Sequence, residues 1–394
     1  MDIIPFWEDR RNLTVYSSLG LKPWKGAFML YNRIKHVLPG FCFEGVFEDI
    51  YEMQSGNINS TYCLIFRKGN ERLYYTLQNI NSYVFKDPAA VMHNMSLVCE
   101  HLRDGYKLEG VSPSRRVIEL IETRDGGVLH IDAESMYWRA YRFINDATAH
   151  NTAEKPEFFY EAGRGFGEFQ RRLHDCPAER LIETIPNFHN TKKRFYSFAA
   201  SIDRDSAGRV KEVEDVIDFL FDRWRLAGQI VDRITDGTLP LRVTHNDTKI
   251  NNVMIDDSTG CAICVIDLDT VMPGSALYDF GDAIRFGAST AAEDEEDLSK
   301  VSLDMDLFRL FTKGYLSEMN GILTAAEKSL LPLGVRVITY EQVLRFLTDY
   351  IDGDLYFKVK HPRHNIVRAR AQMRLLEDIE KKYDEMHAAV EALS

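Results

Sequence analysis

A polar loop set between short apolar segments constrains this chain more than any other feature of its sequence. The loop sequence THNDTKINN occupies 244–252, and it is followed by the apolar segments Val253–Ile255 and Ile263–Ile266. Apolar runs of this length beside turn residues predict short strands. The two segments are therefore predicted to pair as a hairpin that turns at 256–260.

The predicted hairpin would gather polar side chains at its open end. Asn252 comes directly before the first strand and Asp267 directly after the second, so both are expected at that end. Asp247, five residues before Asn252, is expected to face the same cavity from its other side. A carboxamide and a carboxylate presented together offer the oxygen ligands that suit Mg²⁺. Asn252 and Asp267 are therefore predicted metal ligands.

The spacing His245-x-Asp247-x-x-x-x-Asn252 is the catalytic-loop pattern of protein-kinase-like phosphotransferases. Phosphoryl transfer needs an acceptor hydroxyl held in line and positive charge near the γ-phosphate. We expect Asp247 to accept the hydroxyl proton and Lys249 to place its ammonium on the transferring group. His245 is expected to brace the loop rather than to react. Each of these alone would be an ordinary loop residue, but together they favour a phosphotransferase.

A second candidate motif lies just downstream. Asp279-Phe280-Gly281 spells the metal motif of protein kinases, but it lies farther from Asp247 than Asp267 does. Asp267 ends an apolar strand and suits the metal better. Asp279 is expected to accept hydrogen bonds from the backbone of the catalytic loop.

The chain changes character near Asn145. Between about 44 and 144 the patterns are mostly extended. The runs 62–66 and 72–77 predict a hairpin that turns at 67–70, and 116–122, 128–131 and 136–144 predict further strands. With one helix opened by Pro88, this predicts an antiparallel sheet. After Asn145 the spacing is mainly helical, at 158–173, 213–234, 307–318, 343–350 and 365–393. We predict an N-terminal extension at 1–40, a sheet domain at 41–144 and a helical domain at 145–394 that contains the loop, which is an α+β fold class.

Charge and hydropathy exclude several classes of protein. The chain has 48 basic and 60 acidic side chains, a net charge of −12, and no long basic run, so a nucleic-acid partner is not expected. No apolar stretch approaches the ~18 residues of a membrane span. Charges at Asp2 and 8–11 interrupt any signal peptide. The six cysteines are sparse and predict reduced thiols, so a cytoplasmic location is expected.

Three segments carry a resemblance to a known family. Thr244–Asn252, Ile266–Ser275 and Tyr278–Phe286 resemble the N-acetylhexosamine 1-kinase branch of the aminoglycoside phosphotransferase/choline kinase family, and the similarity runs from about Tyr31 to Ala388. The resemblance implies a protein-kinase-like two-lobed fold, with a small antiparallel-sheet N-lobe and a larger, mainly helical C-lobe. It also implies ATP and Mg²⁺ as cofactors, and transfer of phosphate to the anomeric hydroxyl of a sugar to give a sugar 1-phosphate.

The resemblance also assigns roles in the C-lobe. Asp247 matches the catalytic base, and Asn252 and Asp267 match the magnesium ligands. Arg345 matches an arginine that contacts the sugar, and Phe286 matches an aromatic residue that lines the same pocket.

In the N-lobe, the resemblance implies nucleotide contacts and also shows departures. The hinge residues Arg142, Phe143 and Ile144 would meet adenine through their backbone groups, and Gly56 would belong to a sparse phosphate loop. Asn57 stands where the family has a histidine that contacts the sugar. Gln78 stands in the strand position where protein kinases carry a lysine, as it does in the sugar-kinase branch.

Two alternatives to a sugar 1-kinase stay open at this point. One is a kinase for another small hydroxyl compound, such as a different sugar, an amino alcohol or an aminoglycoside. The other is a pseudokinase that binds nucleotide or sugar without turnover. The absent lysine favours the pseudokinase, as does Ser96 where a partner glutamate would be expected, with Glu100 one turn later as a possible substitute. The complete set of Asp247, Asn252 and Asp267 favours an enzyme.

Overall fold

The main sheet of the molecule has six antiparallel strands in the order β1-β2-β3-β4-β6-β5. The structure is a computed structural model and describes residues 22–23, 28–53, 58–152 and 155–394. The strands of this sheet are β1 (Lys22–Pro23), β2 (Val46–Met53), β3 (Ser60–Lys68), β4 (Glu71–Ile80), β5 (His130–Ile131) and β6 (Tyr137–Arg142).

β3 and β4 form a hairpin at the centre of this sheet, which confirms the predicted hairpin. Lys68 pairs with Glu71 across a two-residue turn, and Gly69 adopts φ +62° there. A positive φ at the first central residue is what a tight hairpin turn of the II′ type requires, which explains the glycine.

Two helices pack on this sheet. Helix α1 (Phe28–Val37) contributes Ile34 and Val37 to the core on one face. Helix α2 (Pro88–Leu108) confirms the helix predicted to open at Pro88, and the Asp87 carboxylate caps it by accepting the Ala90 amide at 3.0 Å.

The rest of the chain is mainly helical, which confirms the α+β class with an N-terminal sheet region and a helical C-terminal region. Its helices are α3 (Pro156–Arg172), α4 (Thr191–Arg204), α5 (Glu214–Asp222), α6 (Val231–Thr235), α7 (Ala276–Gly287), α8 (Met305–Met319), α9 (Ala325–Ser329), α10 (Leu331–Asp352), α11 (His364–Lys381) and α12 (Tyr383–Leu393). Within the described ranges, no helix is long and apolar enough to cross a membrane.

Two small sheets lie among these helices and position the polar loop. One contains β7 (Ala147–Ala149), β9 (Val253–Asp256) and β10 (Ala262–Val265), and the other pairs β8 (Arg242–Thr244) with β11 (Met272–Gly274). β9 and β10 are antiparallel neighbours, which confirms the predicted hairpin at this place.

Some predicted elements differ from the structure. The helical pattern at 213–234 is divided into α5, a 3-10 turn at Trp224–Gly228, and α6. The pattern at 365–393 is divided at Lys382, which lets α12 bury Met386 and Val390. The segment 116–122 is not a strand and makes only an isolated bridge, from Leu120 to Tyr141.

Candidate active site

The polar loop is anchored through its own backbone. The Asp279 carboxylate, at the start of α7 and 1% exposed, accepts the His245 amide at 2.8 Å and the Asn246 amide at 2.7 Å. Gln170 donates a third bond to it at 2.6 Å. Asn246 has φ +63°, a conformation that Asn tolerates better than most residues. The expectation that Asp279 holds the catalytic-loop backbone is therefore confirmed.

His245 is completely buried and both of its ring nitrogens are engaged. Nε2 lies 2.9 Å from the Ile266 carbonyl oxygen, and Nδ1 accepts the Asp247 amide at 3.3 Å. The edges of Phe166 and Phe169 pack against the ring. The imidazole thus ties the loop to the end of β10 and has no nitrogen free for proton transfer.

Asp247 and Asn252 lie side by side at the open end of the hairpin. The Asn252 carboxamide nitrogen donates to the Asp247 carbonyl oxygen at 2.8 Å and approaches Oδ2 at 3.4 Å. Lys249 Nζ lies 2.7 Å from the other carboxylate oxygen. Burial acts to raise the pKa of Asp247, but the Lys249 ammonium outweighs it and the pKa lies below its usual range. Asp247 is therefore ionised at neutral pH.

Asp267 follows β10 in the left-handed region, with φ +60°. The Ile266 amide donates to the Asn252 carbonyl oxygen at 2.9 Å, which keeps the two predicted metal ligands next to each other along the backbone. Burial, then the negative charges of Asp269 and Asp247, raise the pKa of Asp267 to about 6. A bound cation would therefore stabilise the ionised form of the Asp267 carboxylate.

This donor set fits Mg²⁺ bound together with a nucleotide. In the described part of the chain, no group of three or more His, Cys, Asp or Glu side chains is arranged to hold a metal ion. Mg²⁺ is commonly held by one or two protein oxygens and completed by substrate phosphates and water. One carboxylate, from Asp267, and one carboxamide oxygen, from Asn252, meet that need.

A buried arginine joins the main sheet to this site, and the sequence reasoning missed it. Arg139 on β6 is 1% exposed and forms an ion pair with Asp269. Its Nε donates to Gln78 Oε1 on β4 at 2.8 Å. Asn59 donates to the other Asp269 oxygen at 2.5 Å. The available sequence signal for this arginine was its position between apolar residues, Trp138 and Ala140, in a predicted strand.

Helix α2, which lies next to Arg139, presents no acidic side chain to the main sheet. Glu100 on α2 is exposed, so the expectation that it could replace a partner glutamate is wrong. Met92 and Met95 face Arg139 instead, with sulfur atoms 4.0 and 3.6 Å from Nη1.

The predicted hinge begins at Arg142, the last residue of β6. The Arg142 amide donates to the Glu119 carbonyl at 2.8 Å, and the Phe143 amide donates to the Tyr74 carbonyl at 3.0 Å. The Ile144 amide makes no hydrogen bond to the described residues. Gly56 and Asn57 lie outside the described residues.

Arg345 lies on the helical side of the loop, one turn after Glu341 on α10. Its guanidinium lies between two aromatic rings, 5.5 Å from the Phe188 centroid and 5.4 Å from that of Phe357. Gln342 accepts from it at 3.3 Å. No carboxylate of the described ranges forms an ion pair with Arg345. This cation is therefore held by aromatic rings instead of an acid.

Glu341 is bonded to its own neighbours. It lies 2.9 Å from His189 Nδ1 and accepts from Thr191 Oγ1 at 2.6 Å. Burial would raise the pKa of Glu341, but His189 and Arg194 outweigh it and lower the pKa to about 2. His189 Nε2 lies 3.4 Å from the Asn246 carbonyl oxygen, which connects this cluster to the catalytic loop.

Phe286, predicted to line the acceptor pocket, lies half-buried near the end of α7. Its ring is 6.0 Å from the Arg285 guanidinium. Phe188, His189 and Arg194 belong to the same side of the loop and were not predicted, because nothing in their local sequence distinguishes them from other helix-entry residues.

Comparison with known proteins matches this geometry to a class of enzyme. Residues 55–304 match the model of the phosphotransferase enzyme family, APH, which is more than half of the chain. The chain belongs to this family. It is a small-molecule phosphotransferase of the aminoglycoside phosphotransferase/choline kinase type.

Solved structures share the fold at low sequence identity. A spectinomycin phosphotransferase in complex with ADP and spectinomycin is 13% identical, with a TM-score of 0.54 over 92% of this chain and 100% of that one. Plasmodium vivax ethanolamine kinase is 13% identical, with a TM-score of 0.55 over 94% and 95%. An amicoumacin kinase in complex with AMP-PNP, Ca²⁺ and Ami is 12% identical, with a TM-score of 0.54 over 91% and 94%. These similarities support the protein-kinase-like fold.

Proposed function

We propose that this chain is an ATP- and Mg²⁺-dependent kinase that phosphorylates the anomeric hydroxyl of an N-acetylhexosamine-type sugar. The observation that carries the proposal is the position of Asp247, ionised and beside Asn252 at the end of the hairpin that presents Asp267. In this proposal 41–144 form the nucleotide-binding lobe and 145–394 the helical lobe with the catalytic loop and sugar site. Residues 1–40 are an extension.

Asp247 has the properties of a hydroxyl-orienting base. Its carboxylate accepts the proton of the sugar hydroxyl as the oxygen attacks the γ-phosphate. Lys249, 2.7 Å from that carboxylate, places positive charge at the same position. Asn252 and Asp267 would hold Mg²⁺, which neutralises phosphate charge when it is bound. His245 and Asp279 keep the loop in register and act only through its backbone.

The nucleotide is proposed to bind against the main sheet. Ile144 offers the hinge amide for the adenine edge, since the amides of Arg142 and Phe143 already donate to carbonyl groups. Gly56 and Gln78 are proposed to lie along the phosphates. Nucleotide binding is supported by the family and by relatives of the same fold in complex with ADP or AMP-PNP.

The charges on the acceptor side favour a neutral sugar over a cationic amine. Arg345 has no ion-pair partner in the described ranges, and Glu341 is already bonded to His189 and Thr191. Burial, and then the nearby Arg345, lower the pKa of Arg194 to about 10 although Glu341 opposes them. Two neighbouring guanidinium groups repel an ammonium ion, and aromatic rings suit the apolar face of a sugar.

Arg345 and Phe286 are proposed sugar contacts, together with Asn57. The amide of Asn57 can donate to and accept from a hydroxyl group, as a histidine would.

An acceptor panel tests the proposal. The protein is incubated with ATP, Mg²⁺ and either N-acetylhexosamines, other sugars, ethanolamine, choline or aminoglycosides, and ADP release is measured. We expect turnover with N-acetylhexosamines and little with the amines. Turnover restricted to amines would contradict the sugar assignment, and absence of turnover despite nucleotide binding would identify a pseudokinase.

A further inference from the structure

Arg139 is a buried cation that faces the site from the main sheet. Charged side chains are rarely buried without a partner, and a partner is present here in Asp269. One terminal nitrogen pairs with that carboxylate and Nε donates to Gln78. The second terminal nitrogen donates no hydrogen bond within the described part of the chain. The guanidinium therefore has a donor left for another ligand.

The position of the pair places Arg139 beside the proposed metal ligand. Asp269 lies in the 3-10 turn Leu268–Thr270, which directly follows Asp267. Asn59 holds its second oxygen, so Asp269 is fixed from two parts of the sheet region. Burial acts to lower the pKa of Arg139, but Asp269 outweighs it and the guanidinium stays charged.

The uncharged Gln78 leaves the proposed phosphate site without the positive charge of a strand lysine. It occupies the strand position that carries a lysine in protein kinases, where the ammonium contacts the nucleotide phosphates. A glutamine amide brings no charge. Arg139 is the cross-strand partner of Gln78 in the β4–β6 pairing. A guanidinium on the neighbouring strand thus lies where the missing charge would act.

We propose that Arg139 contacts the phosphates of the bound nucleotide and supplies the positive charge that the strand lysine supplies in protein kinases. This inference rests on the proposed nucleotide site but not on the identity of the acceptor. Guanidinium groups bind phosphate oxygens through paired N–H donors, which suits the terminal nitrogen that makes no hydrogen bond to the described residues. Asp269 and Gln78 are positioning residues that hold the guanidinium in place.

The competing explanation is a purely structural arginine that joins the sheet to the Leu268–Thr270 turn. Arg139→Met alone leaves the Asp269 carboxylate buried without its partner and could prevent folding. The double variant Arg139→Met/Asp269→Asn removes both charges, and the new carboxamide oxygen can still accept from Asn59. A weaker nucleotide affinity of this folded double variant can therefore be attributed to a lost nucleotide contact and not to misfolding.

The test measures MgADP affinity by calorimetry and the thermal midpoint of each variant, so that no acceptor is needed. We expect R139M/D269N to fold and to bind MgADP about 10- to 100-fold more weakly, the effect of one charge-assisted hydrogen bond. R139M/D269N/Q78K, which adds a lysine at the kinase position to the same double variant, should regain most of that affinity.

Arg172→Met is the matched control. Arg172 on α3 is also largely buried and paired, with Glu109 at 2.9 Å and Glu168 at 2.8 Å, but neither of these ion-pair partners is a proposed site residue. This variant should lower the thermal midpoint and keep MgADP affinity. A folded R139M/D269N protein with wild-type MgADP affinity would overturn the proposal. Failure of every acceptor with this affinity pattern intact would overturn only the sugar-kinase assignment.

Discussion

Single side chains around the polar loop divide into those that hold its backbone and those that are proposed to face the reacting groups. The side chains of Asp279 and His245 form hydrogen bonds mainly with main-chain atoms. The Asp247 carboxylate is 28% exposed, and among the described residues it pairs only with the Lys249 ammonium and the Asn252 carboxamide. Partial exposure and a depressed pKa suit a group that must meet a substrate hydroxyl in its ionised form.

Replacing Asp247 by Asn tests its role directly. Asn keeps the size of the side chain but cannot accept a proton, so kcat should fall by about 10²–10⁴-fold. The affinity for MgADP should change little. Asp257→Asn, in the exposed turn of the same hairpin, is the control and should retain full activity. A wild-type rate for the Asp247→Asn variant would show that Asp247 is not the catalytic base.

Glu341 predicts a pH dependence of stability. Its pKa in the folded state is about 2 against an ordinary value of 4.5, so its ionised form stabilises the protein above pH ~4.5 and that contribution is lost as pH falls toward 2. The shift corresponds to about 3 kcal/mol at neutral pH. Glu341→Gln should lower the free energy of unfolding by about 2–3 kcal/mol at pH 7, measured with urea. The difference from wild type should shrink as pH falls below ~4.5, and a difference independent of pH would contradict the account.

At the scale of elements, the strands and helices with strong local signals could be predicted from sequence. The β3–β4 and β9–β10 hairpins and α2 follow from apolar runs, turn residues and Pro88. Helix α10 was recognised only over 343–350 of Leu331–Asp352, because it is buried against α4, α7 and α11 and therefore lacks a polar face. Where tertiary packing decides the pattern, local periodicity is not enough.

The crossing of α7 and α10 predicts an element-scale effect. These helices carry Asp279 and Arg345, and a Cβ at Gly281 would collide with the Gly334 carbonyl oxygen. Gly281→Ala should separate the helices and destabilise the protein by about 1–3 kcal/mol, as overpacking does. Gly105→Ala on α2, where nothing lies within 4 Å, should stabilise it by about 0.4–1 kcal/mol. Thermal midpoints measure both, and a tolerated Gly281→Ala would contradict the packing.

At the scale of the whole molecule, the site combines a local motif with partners from distant parts of the chain. The convergence of Asp247, Asn252 and Asp267 could be predicted from sequence because one loop and one hairpin bring them together. Arg139 and His189 could not, because strand pairing and helix packing over long sequence separations place them at the loop. The same long-range contacts, from Arg139 and Asn59 to Asp269, connect the sheet region to the helical region.

The position of the transferred phosphate tests the central claim most directly. The protein is incubated with ATP, Mg²⁺ and an N-acetylhexosamine, and the product is examined by proton–phosphorus correlation NMR. We predict a phosphorus signal coupled to the anomeric proton of the sugar, and its loss with Asp247→Asn. Coupling to the protons at C6 instead, or phosphate found only on an amino alcohol offered in the same mixture, would contradict a sugar 1-kinase.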